Sequence, residues 1–340
     1  MRDVREPAPK GLFGVRRAYP GAAVHTPWER MLLWRPVVDL DRSAAKCVFL
    51  AGLARSGTTW LAGVINYRND FRHINEPFNP WRGRNCDAFH YGLYLRPEES
   101  GEAYAGPAKR LITGAEGFNY MTHHYNRRVF CSRRMIKEVR ANLWLKWLHE
   151  RFPEMPIVLL LRHPIATVNS RMKRGNTNYF ARLFDEPDLI HDHLLPFRDE
   201  MERLRGGSDF EQRIFSWCVD HYVPLRQCRP GDLHLAYYEH FSESPESELE
   251  ALFRYFGVTY GDDVYSFVKR PSPVTRKDAA IKTGKSVVAQ WQNEISGEDI
   301  AKALRILGLF GLDKIYSDGP MPDPAAAQAL LAQDRRSGEL

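Results

Sequence analysis

Nine consecutive residues, Gly52-Leu53-Ala54-Arg55-Ser56-Gly57-Thr58-Thr59-Trp60, carry the densest chemistry in the chain. Their Gly-x4-Gly spacing is that of a loop whose backbone N–H groups and following helix N-terminus wrap an anion. The glycines let the backbone come close to a phosphate, and the hydroxyls of Ser56, Thr58 and Thr59 add donors. A nucleoside-triphosphate loop has Lys and then Ser or Thr after its second glycine. Here Thr58 stands in the lysine position, and the cation is Arg55, before that glycine. No Asp for Mg²⁺ ends an apolar run either, since Pro156–Leu161 ends in Arg162. The loop is therefore expected to take a phosphate ligand without a γ-phosphate and without a required metal. A glycine turn capped by Ser and Thr is the alternative reading of the nonamer alone.

A second anion site is expected at Arg162-His163-Pro164. An Arg at the carboxyl end of a parallel strand lies where open α/β sheets bind ligands. Ser170, eight residues on, would sit inside the next helix and face the same pocket. Guanidinium plus hydroxyl suits a second phosphate. Arg171, Lys173 and Arg174 thicken the positive charge. The two sites together imply a nucleotide with phosphates at two places.

The elements that must hold these residues alternate along the chain. Strands are expected at Lys46–Gly52, Arg134–Val139, Pro156–Leu161 and Leu233–Tyr238. Helices are expected at Gly57–Arg68, Asn142–Phe152, Ala166–Lys173 and Pro245–Phe256. Strands apolar on both faces, alternating with helices, argue for an α/β fold with a parallel sheet covered on both sides. Residues 1–43 read as an irregular arm, 44–317 as one α/β domain, and 318–340 as a loose tail with one short helix. Residues 176–230 read as a mainly helical insertion that covers a site.

The 340 residues, 44% hydrophobic and 26% charged, exclude a disordered, collagen-like or disulfide mini-protein chain. The net charge of +6 fits an anionic partner such as a nucleotide, an acidic glycan or a membrane surface. Five cysteines with no C-x-x-C pair argue against structural zinc and for a reducing compartment. No apolar run approaches a membrane span and the N-terminus lacks a signal pattern, so a cytoplasmic location is expected. No basic helix or aromatic-basic array argues for nucleic-acid binding.

Ala54-Arg55-Ser56-Gly57-Thr58-Thr59-Trp60 resembles the 5′-phosphosulfate loop of the sulfotransferases that use 3′-phosphoadenosine 5′-phosphosulfate (PAPS). Ile157 to Ser170 resembles the family's 3′-phosphate motif, and Ala236 to Phe241 its later Tyr-Glu strand end. The resemblance spans roughly residues 46–260. It implies a three-layer sandwich around a parallel sheet, like that of P-loop nucleotide triphosphatases. It also implies that PAPS is the donor, adenosine 3′,5′-bisphosphate (PAP) the product, and metal dispensable. Arg55, Ser56, Gly57, Thr58 and Thr59 would hold the 5′-phosphosulfate, Trp60 would stack on adenine, and Tyr238 would lie near the base. Arg162 and Ser170 would hold the 3′-phosphate, with Lys285 upstream of Trp291 as a further phosphate contact. Lys137 resembles the lysine placed near the transferred group. Val139 stands where phenol- and steroid-type members have a catalytic His, which makes the chain similar to the carbohydrate-type and bacterial branch.

Sulfuryl transfer should be in line and rather dissociative, so positioning and cations carry it. Arg55 and Lys137 are the expected cations, and Glu76 the expected base for the acceptor hydroxyl. Glu138 is the second candidate, although strand alternation points it away from Lys137. A carbohydrate or glycolipid is the expected acceptor; a small-molecule or peptide tyrosine hydroxyl is the alternative. From other classes, a Mg²⁺-dependent kinase and a non-catalytic nucleotide-binding protein are the alternatives. Oligomeric state is not legible.

Overall fold

The computed structural model describes residues 37–80, 82, 85–116, 122, 125–270 and 288–333. Five parallel strands form the central sheet: β1 (Cys47–Gly52), β2 (Phe71–Asn75), β3 (Arg133–Glu138), β4 (Ile157–Leu161) and β5 (His234–Tyr237). Their order across the sheet is β2-β3-β1-β4-β5. The chain leaves β1 for one edge, lays down β2 and β3 there, then crosses over for β4 and β5. That reversal opens a crevice at the carboxyl end of β1, where ligands of open α/β sheets bind.

Side chains along a strand alternate between faces, and here both faces are buried. Cys47, Phe49 and Ala51 of β1 join Ile157, Leu159 and Leu161 of β4 in the larger core. Helices α2 (Leu145–Arg151), α3 (Pro164–Lys173), α4 (Asp209–Gln227) and α7 (Gly297–Leu309) cover that face with Trp147, Ile165, Phe215 and Ile306. Val48, Leu50, Val158 and Leu160 point the other way, under α1 (Thr58–Ile65) and α6 (Pro245–Tyr255) with Leu61, Val64, Leu249 and Phe253. The architecture is the expected three-layer α/β sandwich with a central parallel sheet. The short helix α5 (Tyr238–Glu243) follows β5 directly.

Four strands were legible as apolar runs; β2 was not. Its sequence FRHIN contains Arg72 and His73, both buried. Arg72 is satisfied from outside the strand: its guanidinium is ion-paired to Asp39 and donates to Glu116 O at 2.8 Å. Arg134 of β3 also faces Asp39, and donates to Ile112 O at 2.8 Å and Ser43 O at 2.6 Å. Asp39 belongs to the stretch read as an irregular arm, where Val38–Asp39 pairs in parallel with Phe130–Cys131. The rest of that arm, residues 1–36, lies outside the described residues.

Within the stretch 176–230, α4 is a core helix and not a cover. It starts in a capping box between Ser208 and Glu211, and it buries Ile214, Phe215, Cys218 and Val219. Asn176 is the residue of that stretch that lines the cleft described below. Near the other end, α8 (Pro324–Ala332) packs Ala327 and Leu331, one helical turn apart, into the larger core. Residues 324–332 are thus a docked helix where a loose tail was expected. No helix among the described residues is long and apolar enough to cross a membrane.

Candidate active site

The loop after β1 is shaped by backbone conformations that few side chains accept. Gly57 caps α1 at φ 101, and a Cβ there would lie 2.5 Å from the Tyr238 ring. Only glycine fits that approach. Arg55 also sits in the left-handed region, at φ 75, as does Glu76 at φ 49. For residues with a Cβ this costs about 1–2 kcal/mol each. Such strain is tolerated where the surroundings over-determine the geometry, as they do here.

The two expected anion sites form one cluster. Arg162, at the end of β4, donates to the Arg55 carbonyl at 2.9 Å. The Arg55 Nε donates to Ser170 Oγ, on α3, at 3.2 Å. The Arg162 guanidinium lies over the Tyr238 ring, 4.4 Å from its centroid. Arg55, Arg162, Ser170 and Tyr238 therefore stand together in one cluster. The base of that cluster is fixed by Glu239, a buried carboxylate that accepts from the His163 N–H at 2.8 Å and from Tyr316 OH at 3.2 Å. This ties β5 to the turn that presents Arg162. The His163 ring stacks on Trp291 at 4.2 Å, and burial pushes its pKa down to about 4. It is a neutral packing group.

Two loop residues differ from expectation. Ser56 is buried, and its hydroxyl donates to the Leu53 carbonyl at 2.7 Å, so its one proton holds the loop together rather than serving a ligand. Trp60 is only 8% exposed; its N–H donates to Val268 O, and its ring meets Tyr238 and Phe241 edge-on. Little of the ring is open for an adenine to stack on. Thr58 and Thr59 line the cleft. Lys285 lies outside the described residues.

Lys137 and Glu76 meet in a second group. Asn75 pairs with Lys137 in the sheet register, and the Glu76 N–H donates to the Lys137 carbonyl at 2.7 Å. The Lys137 Nζ donates to Glu76 Oε1 at 2.6 Å. Glu76 Oε2 faces Arg82 at 3.0 Å and Arg140 at 3.6 Å. Burial alone would raise the Glu76 pKa, but Lys137 and then Arg140 outweigh it and hold the carboxyl below its ordinary value.

Glu138, the second candidate base, is engaged elsewhere. It is fully buried on the opposite face of β3 and accepts from the backbone N–H groups of Phe78 (3.0 Å) and Val139 (2.9 Å). Both oxygens are used to fold the turn after β2 onto the end of β3. Burial raises its pKa against the pull of Arg140.

Arg55, Thr58, Thr59, Glu76 and Lys137 line one cleft of about 260 Å³, and Arg162 and Ser170 adjoin it through their hydrogen bonds with Arg55. Its cations are Arg55, Arg82, Lys137, Arg140 and Arg174, and its carboxylate is Glu76. Tyr91 and Tyr125 close the side walls. Sequence reasoning missed Arg82, Tyr91, Tyr125 and the lining role of Arg140. They come from loops without periodicity, and only the fold gathers them. The His191-Asp192-His193 run is not part of this cleft's lining; both Asp192 oxygens accept from Arg96, at 2.7 and 2.8 Å. Among the described residues no group of three or more His, Cys, Asp or Glu could hold a metal.

Solved structures with a similar course of chain are sulfotransferases of low identity. The sulfotransferase domain from the Synechococcus PCC 7002 olefin synthase is 15% identical, covering 78% of this chain and 96% of its own, with a TM-score of 0.42. The sulfotransferase domain from the curacin biosynthetic pathway is 14% identical, covering 86% and 97%, with a TM-score of 0.39. Mouse sulfotransferase SULT7A1, solved in complex with PAP, is 15% identical, covering 86% and 90%, with a TM-score of 0.38. No curated protein sequence matches the chain. The family profile is decisive: residues 47–262, from the first residue of β1 past the end of α6, match it, and the chain belongs to the sulfotransferase family.

Proposed function

We propose that the protein transfers a sulfuryl group from PAPS to a hydroxyl of a carbohydrate or glycolipid, without a metal. The observation that carries this reading is the Arg55–Arg162–Ser170 cluster, whose Arg55 lines the same cleft as the Lys137–Glu76 pair. Guanidiniums from two neighbouring crossovers suit a ligand with phosphates at both ends. The glycine cradle at Gly57 suits close approach of a phosphate to backbone N–H groups. The five cysteines are unpaired and buried, which supports a reducing compartment such as the cytoplasm.

In this reading Arg162 and Ser170 hold the 3′-phosphate, and Arg55, Thr58 and Thr59 the 5′-phosphosulfate. Lys137 faces the transferred group. The acceptor oxygen attacks sulfur in line; the S–O bond to the 5′-phosphate breaks, and its electron pair stays on the phosphate oxygen. Arg55 and Lys137 stabilise that leaving charge, and Glu76 takes the acceptor's proton.

The test is calorimetric titration of PAP, followed by transfer of label from ³⁵S-PAPS to carbohydrate, glycolipid, small phenol and tyrosine-peptide acceptors without metal. PAP should bind, and Arg162→Gln should weaken it about 10- to 100-fold, the worth of a charge-assisted hydrogen bond. Carbohydrate should take the label. Unchanged PAP affinity in the variant, or ATP consumption with Mg²⁺ and no sulfuryl transfer, would overturn the reading.

A further inference from the structure

Positive charge in the cleft extends beyond Arg55 and Lys137: Arg82, Arg140 and Arg174 also line it. The donor's groups in the reading above lie over β1, β4 and β5: Arg55, Arg162, Ser170 and Tyr238. Lys137 stands at the middle. Arg82 and Arg140 lie beyond it, in the loops that follow β2 and β3 at the far edge of the sheet. Arg174, at the end of α3, lines the same cleft. The acceptor must enter from this side, because Glu76 is here.

Arg82 and Arg140 are costly to place so. Their side chains are 12% and 9% exposed, and both turn toward the same Glu76 oxygen. Burial and then the Arg140 charge push the proton affinity of Arg82 below its ordinary value. Two guanidiniums crowded in a half-dry cleft are balanced, among its lining residues, by Glu76, with Glu138 behind Arg140 at 3.5 Å. Buried charge of this kind is stable when a counter-charge completes it.

The walls hold the guanidiniums in place. Arg140 lies 4.1 Å over the Tyr91 ring, and the far side of the wall is set by Tyr91 stacking on Tyr179 at 5.6 Å. Tyr125 stacks on His73 at 4.8 Å. Burial pushes the Tyr125 phenol up to about 12 and raises Tyr91 as well, so both keep their protons. They are fixed O–H groups beside fixed N–H groups.

We infer that the acceptor is itself an anion: a hydroxyl compound bearing a carboxylate, sulfate or phosphate next to the hydroxyl to be sulfated, with Arg82, Arg140 and Arg174 as its clamp. The inference rests on the sulfotransferase reading for the identity of the reaction. Arg82 and Arg140 are also the groups that draw on Glu76 Oε2. An acceptor anion that takes them over leaves that carboxylate oxygen freer to accept the hydroxyl proton. Acidic acceptors should therefore gain in kcat as well as in KM, which a merely attractive surface would not cause.

The experiment compares matched acceptors with PAPS: a glucuronate-containing oligosaccharide, its methyl ester, and a sulfate-ester counterpart. The acidic forms are expected to exceed the methyl ester at least tenfold in kcat/KM, and the better of the two identifies the anion. Arg82→Gln, Arg140→Gln and Arg174→Gln should each shrink that ratio while PAP affinity stays within twofold. Arg174 is exposed, so its variant tests the clamp even where a buried substitution unfolds the chain. In parallel, glucuronate and a sulfated monosaccharide are titrated into the PAP-saturated protein. Equal or better use of the methyl ester overturns the inference and leaves the sulfotransferase reading standing. If nothing is sulfated, the titration decides: binding lost in the Arg variants keeps the anion site and sinks the reaction, and no binding sinks the site.

Discussion

Glu76 shows how much one residue's setting decides. It is held in a left-handed backbone conformation, hydrogen-bonded to Lys137 and flanked by Arg82 and Arg140. As the base, it should cost turnover about 10²- to 10⁴-fold when replaced by Gln. PAP affinity should stay within twofold, since the proposed reading gives the nucleotide to Arg162 and the loop. Comparing kcat with the calorimetric Kd of Glu76→Gln checks this; full turnover would remove Glu76 from the role. The sign of its pH dependence follows from Lys137 and Arg140, which outweigh burial and keep the folded-state pKa low. A carboxyl held below its ordinary value of about 4.3 stays ionised as acid is added. Activity assigned to it is then lost only as pH falls through that lower value, so the kcat/KM profile should show no acidic limb from Glu76 at pH ~5 or above. Sequence spacing nominated both Glu76 and Glu138; it could not show that Glu138 is occupied by two backbone N–H groups, because Phe78 reaches it across a turn.

At the scale of elements, the loop between β1 and α1 works through glycine geometry. Gly57→Ala would place a methyl group 2.5 Å from Tyr238 at a φ of 101. The ring must move, and with it the surface that Arg162 lies on. The expected outcome is PAP affinity reduced at least tenfold together with a lower Tm. Gly175→Ala is the control, since Gly175 has φ 68 and nothing within 4 Å. It carries the backbone strain of about 1 kcal/mol without the collision. It should lower Tm slightly and leave PAP affinity unchanged. Equal PAP affinity in both variants would show that the cradle does not contact the nucleotide. The loop itself was readable from its spacing, and so were Arg162 and Ser170, because each follows an apolar strand by a fixed count. Strand β2 was not readable: Arg72 breaks its apolar pattern, and its partner Asp39 is distant in sequence. The short helix α8 was readable, but its docking was not, because Ala327 and Leu331 find their partners only in the assembled core.

At the scale of the whole molecule, the sheet edge that carries β2 and β3 rests on a buried polar tie. Arg72 of β2 and Arg134 of β3 share Asp39, and all three side chains are at most 2% exposed. Replacing Asp39 by Ala leaves two guanidiniums without their counter-charge. Breaking a buried pair by removing one partner costs about 3–5 kcal/mol. Urea denaturation of Asp39→Ala should show a loss of that size; a change below about 1 kcal/mol would mean that the backbone carbonyls alone satisfy the arginines. Taken alone, the sequence determined what depends on local order along the chain: parallel strands with apolar runs on both faces, a glycine-bounded loop at the start of a helix, and an Arg and a Ser at set distances after a strand. The tertiary structure decided what depends on long-range closure. It turned one of two adjacent carboxylates into a backbone cap and left the other in the cleft, it took the Ser56 hydroxyl into the loop, and it brought Arg82, Arg140, Tyr91 and Tyr125 together from separate loops. Periodicity reports which face of an element a residue is on; it carries no information about which distant side chains share a cavity, since that follows from the order of the strands across the sheet.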